Sequence, residues 1–95
     1  MRLSTELRHF IKDYWLKKFP KATVYLFGSR VDDNKKGGDI DLLILNDEKI
    51  SLSDKTNFLS QFIINFGEQK IDLVSYNYDE DVPFKRIALQ YALKL

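Results

Sequence analysis

The sequence predicts a small α/β (α+β) domain, a mixed β-sheet with helices packed on it in the order αββαβα. Three observations carry this expectation. Apolar residues recur at helical spacing around residues 3–16, 52–66 and 83–95. Between and among them lie three short runs rich in Val, Ile, Leu, Phe and Tyr, at 23–27, 39–45 and 70–75. Gly, Pro, Asn and Asp mark the joins, and no repeat or linker divides residues 1–95. One domain is expected, at the small end of what buries a core of its own.

The first helix is read from Leu3, Leu7, Phe10, Ile11 and Tyr14, an i, i+4, i+7, i+8, i+11 stripe. Lys17 and Lys18 suit its negative C-terminal end, and Pro20 stops it. Trp15 and Leu16 widen the stripe to cover the sheet. His9, the single histidine, sits on this helix and is assigned no chemistry.

The first strand is Thr23–Phe27, ended by Gly28. A polar loop from Arg30 to Gly38 leads to the second strand, Asp39–Leu45. There a continuous Leu42-Leu-Ile-Leu45 run indicates a strand covered on both faces. Ser51-x-x-Asp54 is a capping box for a second helix lined by Phe58, Leu59, Phe62, Ile63 and Phe66 and closed by Gly67. The third strand is Lys70–Ser75, followed by a polar loop over Tyr76–Asp81 whose tyrosines, Tyr76 and Tyr78, are candidates for stacking on a base. Pro83 opens a final helix with a core stripe of Phe84, Ile87, Ala88, Tyr91, Ala92 and Leu95. Leu89 and Leu93 add a second apolar edge, which points to a protein contact, a partner's or a second copy's.

Composition excludes several classes of function. With 15 basic and 14 acidic residues the net charge is +1, so no overall field draws the chain to nucleic acid. The absence of cysteine excludes disulfides and thiolate metal sites. No apolar run reaches membrane-spanning length and the N-terminus is charged, so a soluble cytoplasmic protein is expected.

The chemistry concentrates between Leu26 and Leu45. Asp39 and Asp41, at i and i+2 of a strand, point to one face with Cα atoms roughly 6.5–7 Å apart. Like charges so placed repel, and a bound divalent cation supplies the reason to keep them. Gly28 lets a phosphate come close, and Ser29 can cap the turn that follows, giving an anion-binding concavity. Arg30, Lys35 and Lys36 are candidate phosphate neutralisers, although loop cations are ordinarily just solvated.

Gly28-Ser29, nine intervening residues, then Asp39-Ile-Asp41 resembles the GS…DxD signature of the DNA polymerase β nucleotidyltransferase superfamily. The stretch most resembles its minimal nucleotidyltransferases, including the antitoxin partners of HEPN toxins. Lys70-Ile-Asp-Leu-Val-Ser75 matches the family's third carboxylate at Asp72. The resemblance implies a polymerase β-like fold. It also implies catalytic Asp39, Asp41 and Asp72 holding one or two Mg²⁺ ions, and Gly28, Ser29 and Arg30 binding the nucleotide. The implied reaction moves a nucleoside monophosphate, AMP from ATP, to a hydroxyl on a helical HEPN-type partner. The rival expectation is a non-catalytic antitoxin or adaptor that binds nucleotide or partner through a relict site.

Overall fold

The computed structural model describes residues 3–34 and 38–95 and places the sheet between two layers of helix. Its elements are α1 (Thr5–Lys18), β1 (Thr23–Phe27), a 3-10 turn (Gly28–Val31), β2 (Ile40–Asn46), α2 (Leu52–Phe66), β3 (Ile71–Asn77), α3 (Pro83–Tyr91) and β4 (Leu93–Lys94). Among the described residues the sheet has four strands in the order β3-β2-β1-β4. β1 runs antiparallel to both β2 and β4, whereas β2 and β3 are parallel, joined through α2 as parallel strands require.

β2 is central, and Ile40, Leu42, Leu43 and Ile44 are fully buried, as the unbroken apolar run implies. One face of the sheet, through Val24, Leu26, Ile40, Leu42 and Ile44, packs on Ile11 and Trp15 of α1 and Phe58 and Phe62 of α2. Aromatic rings fill this layer, with Trp15 and Phe58 centroids 5.1 Å apart and Phe62 and Phe66 also 5.1 Å apart. Each such pair adds roughly 0.5–1.5 kcal/mol beyond its area burial. Both long helices carry the caps their sequences announce. Ser4 accepts from the Leu7 N–H at 3.2 Å, and Ser51 and Asp54 form the reciprocal box that starts α2.

α3 lies on the opposite face, where the Phe84 ring meets Phe27 edge-on at 5.8 Å. Here the structure corrects the sequence reading twice. The helix stops at Tyr91 because the chain turns extended at Ala92 and runs along the open edge of β1 as β4, pairing Leu93 with Leu26 and Lys94 with Tyr25. Leu95 is buried as expected, but from this strand, its N–H donating to Val24 O at 2.9 Å. The observed order is therefore αββαβαβ.

The rotation of α3 also differs from expectation. Lys85 and Ala88 face inward, while Phe84, Ile87 and Tyr91 are 46%, 62% and 72% exposed. The Lys85 ammonium explains this: it donates to the carbonyls of Asn77, Tyr78 and Glu80 at 3.1, 2.8 and 2.7 Å. A buried ammonium with three carbonyl acceptors sets which face of the helix turns inward. Lys85→Met keeps the stem but strands three carbonyls, and it is expected to cost about 1.5–3 kcal/mol of stability. Urea unfolding of the variant checks this; an unchanged midpoint would show the cage to be dispensable.

Tyr76 and Tyr78 are not placed to stack on a base beside the acidic residues. Tyr76 pairs with Leu45 inside β3, at the far end of the sheet. The Tyr78 hydroxyl lies 2.6 Å from Lys21 O and 2.7 Å from the Thr23 Oγ1, tying the start of β1 to the β3–α3 loop. No helix among the described residues is long and apolar enough to cross a membrane.

Candidate functional site

The parallel register places Asp41 directly beside Asp72, each the second residue of its strand. On the other side Asp41 faces Phe27, the last residue of β1. Both carboxylates thus emerge at the edge of the sheet where β2 and β3 begin and where β1 gives way to Gly28. Three elements distant in sequence converge there, two supplying charge and one supplying a turn.

Asp41 is partly buried and its carboxyl is held above the usual carboxylate range. Burial is the largest cause, followed by the charge of Asp72, a hydrogen bond shared with Asp72 and the charge of Asp39; Lys70 pulls weakly the other way. Asp72 is exposed. Ionised Asp41 is therefore disfavoured by its surroundings, by burial first and by its acidic neighbours second, a condition that fold stability does not favour.

Gly28 makes that packing possible. Its φ is +75°, and a Cβ built on it would run into the Asp41 Oδ2 and lie 3.1 Å from the carboxyl carbon. The backbone of the turn thus lies directly against the Asp41 carboxylate, an approach only glycine allows.

Ser29 stands inside the 3-10 turn and is not its cap; the cap position is Phe27, without a side-chain bond. The Ser29 carbonyl accepts from the Asp32 N–H at 3.2 Å. Arg30 bridges the ends of the motif loop, its Nε donating to Gly38 O at 3.3 Å. Lys35 and Lys36 lie outside the described residues.

Asp39 departs from the expected trio. It precedes β2, which starts at Ile40, so strand alternation does not hold it on the face of Asp41. Its Oδ2 pairs with the Lys70 ammonium at 3.4 Å. In the sequence Lys70 is read only as the first residue of the third strand and is given no role. It sits one residue before β3, and its carbonyl accepts from the Ile40 N–H at 3.1 Å, which fixes it beside Asp39. Its position before the third apolar run was the available signal, but only the β2–β3 register gives that position meaning.

Among the described residues no three Asp, Glu, His or Cys side chains are gathered closely enough to hold one ion. The donors at hand still suit a hard divalent cation. They are all oxygen, two of them on the neighbouring carboxylates Asp41 and Asp72, and magnesium is commonly held by one or two carboxylates together with substrate phosphates.

A family described as polymerase beta, nucleotidyltransferase matches residues 10–92. The chain belongs to this family. No curated protein sequence matches it. Among solved structures it is similar to a chain of a toxin–antitoxin crystallised with AMP-PNP, with a TM-score of 0.71 and 17% identity, over 90% of this chain and 69% of that one. A mutant of the toxin–antitoxin MntA-HpeT gives 0.70 and 15% identity, over 90% and 69%. The complex of a tri-AMPylated Shewanella oneidensis HEPN toxin with its MNT antitoxin gives 0.65 and 17% identity, over 90% and 66%. At these identities the likeness is one of fold, the polymerase β-like nucleotidyltransferase fold.

Proposed function

We propose that this family member is a metal-dependent nucleotidyltransferase that moves AMP from ATP onto a hydroxyl of a helical, HEPN-type partner protein. The observation that carries the reading is the Asp41–Asp72 pair set against the backbone of Gly28. Two carboxylates brought side by side on adjacent strands, against the backbone of a glycine turn, make an arrangement suited to phosphoryl transfer. The AMP-PNP complex and the AMPylated toxin among the structural neighbours support the choice of nucleotide and partner.

In this reading Gly28 and Ser29 receive the triphosphate and Arg30 steadies the loop beside it. Asp41 and Asp72 would hold Mg²⁺, joined by Asp39, and a bound ion would supply positive charge against the phosphates. Asp72, the exposed member, takes the proton of the acceptor hydroxyl as its oxygen bonds to the α-phosphorus and the bond to the β-phosphate oxygen breaks. The outward stripe of Phe84, Ile87 and Tyr91, next to Phe27 and so to the site, is the surface we assign to the partner that presents the hydroxyl.

A second reading, a module that binds its partner without turnover, draws on one observation, the engagement of Asp39 with Lys70. Calorimetric titration of ATP separates the two, run with Mg²⁺, with EDTA, and with Asp39→Ala/Asp41→Ala. Mg²⁺-dependent heat lost in the double variant, with an AMP adduct on the partner seen by mass spectrometry, is the expected result. Heat without an adduct, or partner control kept by the double variant, would favour binding alone.

A further inference from the structure

We propose that Lys70 is an internal counter-cation of the acidic site, competing with a divalent cation for Asp39; this rests on the metal reading above. The site divides its charges into two unlike sets. Asp41 and Asp72 are register partners on adjacent parallel strands and share one face. Asp39, one residue ahead of the strand, is turned to the Lys70 ammonium at 3.4 Å. Lys70 is also felt at Asp41, where it alone among the neighbouring charges favours the ionised form. One ammonium thus serves the edge of the cluster from outside it.

Two features make this an exchangeable arrangement. The backbone of Lys70 is fixed by its bond with Ile40, so the ammonium is kept within reach of Asp39. The ion pair itself is open to water, with side-chain exposures of 76% for Lys70 and 38% for Asp39. Exposed pairs of this kind are weak, worth about as much as thermal energy. A divalent cation carries twice the charge of an ammonium, and Asp41 and Asp72 stand ready to bind it as well. Asp39 is therefore held in reserve by a partner that yields to a stronger one.

Lys70 acts through Asp39 and is a positioning residue. Its test is Mn²⁺ binding without nucleotide, followed by electron paramagnetic resonance of the free ion. The proteins compared are wild type, Lys70→Met, Lys70→Arg and Lys49→Met, the last matching the charge change at the opposite end of the sheet. Lys70→Met is expected to tighten Mn²⁺ by about two- to fivefold, the factor set by breaking one exposed ion pair. Lys70→Arg should resemble wild type, and Lys49→Met should leave affinity unchanged. Mn²⁺ bound by Lys70→Met alone would support the proposal in its strongest form. Equal affinity in wild type and Lys70→Met, or an equal gain in Lys49→Met, would overturn it and leave the metal site standing. No Mn²⁺ on any of the four would bring down both readings.

Discussion

Asp41→Asn is expected to raise the melting temperature at pH 7 while abolishing nucleotidyl transfer. The two effects have one source. In the folded chain the Asp41 carboxyl gives up its proton at a higher pH than in the unfolded chain, because of burial first and the charge of Asp72 second. At low pH, below the ordinary carboxylate range, both states are neutral and the fold bears no penalty. As pH rises through the raised value, the folded state must ionise Asp41 against its surroundings, and that part of the stability is lost. Asparagine is isosteric and uncharged, so it escapes the loss and keeps a partner for Asp72.

The melting-temperature difference between variant and wild type should therefore be close to zero near pH 3 and open in the variant's favour toward pH 7 (about one ordinary carboxylate titration in width). Asp41 is only partly buried, so water moderates the effect and the gain is small. The loss of transfer is not small. Removing one preorganised electrostatic group from a phosphoryl-transfer site costs at least about a hundredfold in rate. Thermal melts across pH and an AMP-transfer assay read the two sides independently. A variant less stable than wild type at pH 7 would mean that Asp41 is held by attraction and not strained by its neighbours.

How much of this was visible in the sequence follows from the range of the interactions involved. β1 falls where its alternation places it, Thr23–Phe27, and α2 begins at its capping box and ends at Gly67. These features are encoded within a few residues of where they act. The pairing of Asp41 with Asp72 was legible only through the family resemblance, since it depends on a parallel register that no local pattern specifies. The turning of Asp39 to Lys70 was illegible for the same reason: two adjacent strand starts decide it. The end of the chain misled more thoroughly. Apolar residues from Phe84 to Leu95 keep helical spacing, yet the open edge of β1 captured the last three, and carbonyls after β3 captured Lys85. Hydrogen-bond demand from distant backbone outweighed periodicity in both cases.

Gly28→Ala is expected to remove nucleotide binding and to cost more stability than the same change at Gly67. Both glycines have positive φ, +75° and +80°. Alanine at either position bears the steric cost of a positive-φ backbone, about 1–3 kcal/mol. At Gly67 a Cβ meets nothing within 4 Å, so no neighbour has to move and the backbone cost is the whole effect. At Gly28 the new methyl would meet the Asp41 carboxylate head-on. That carboxylate sits on a short stem at the start of a buried strand, and Asp72 occupies the neighbouring position. Relief requires either Asp41 to leave Asp72 or the turn to lift away from β2, and each disassembles the place proposed for the triphosphate. Urea unfolding and ATP titration on both variants separate the contributions. Gly67→Ala should lose stability and bind as wild type does, whereas Gly28→Ala should lose more stability and bind nothing measurable. Equal losses with binding intact in both would reduce Gly28 to an ordinary turn glycine, and with it the case that the turn and the carboxylate pair form one site.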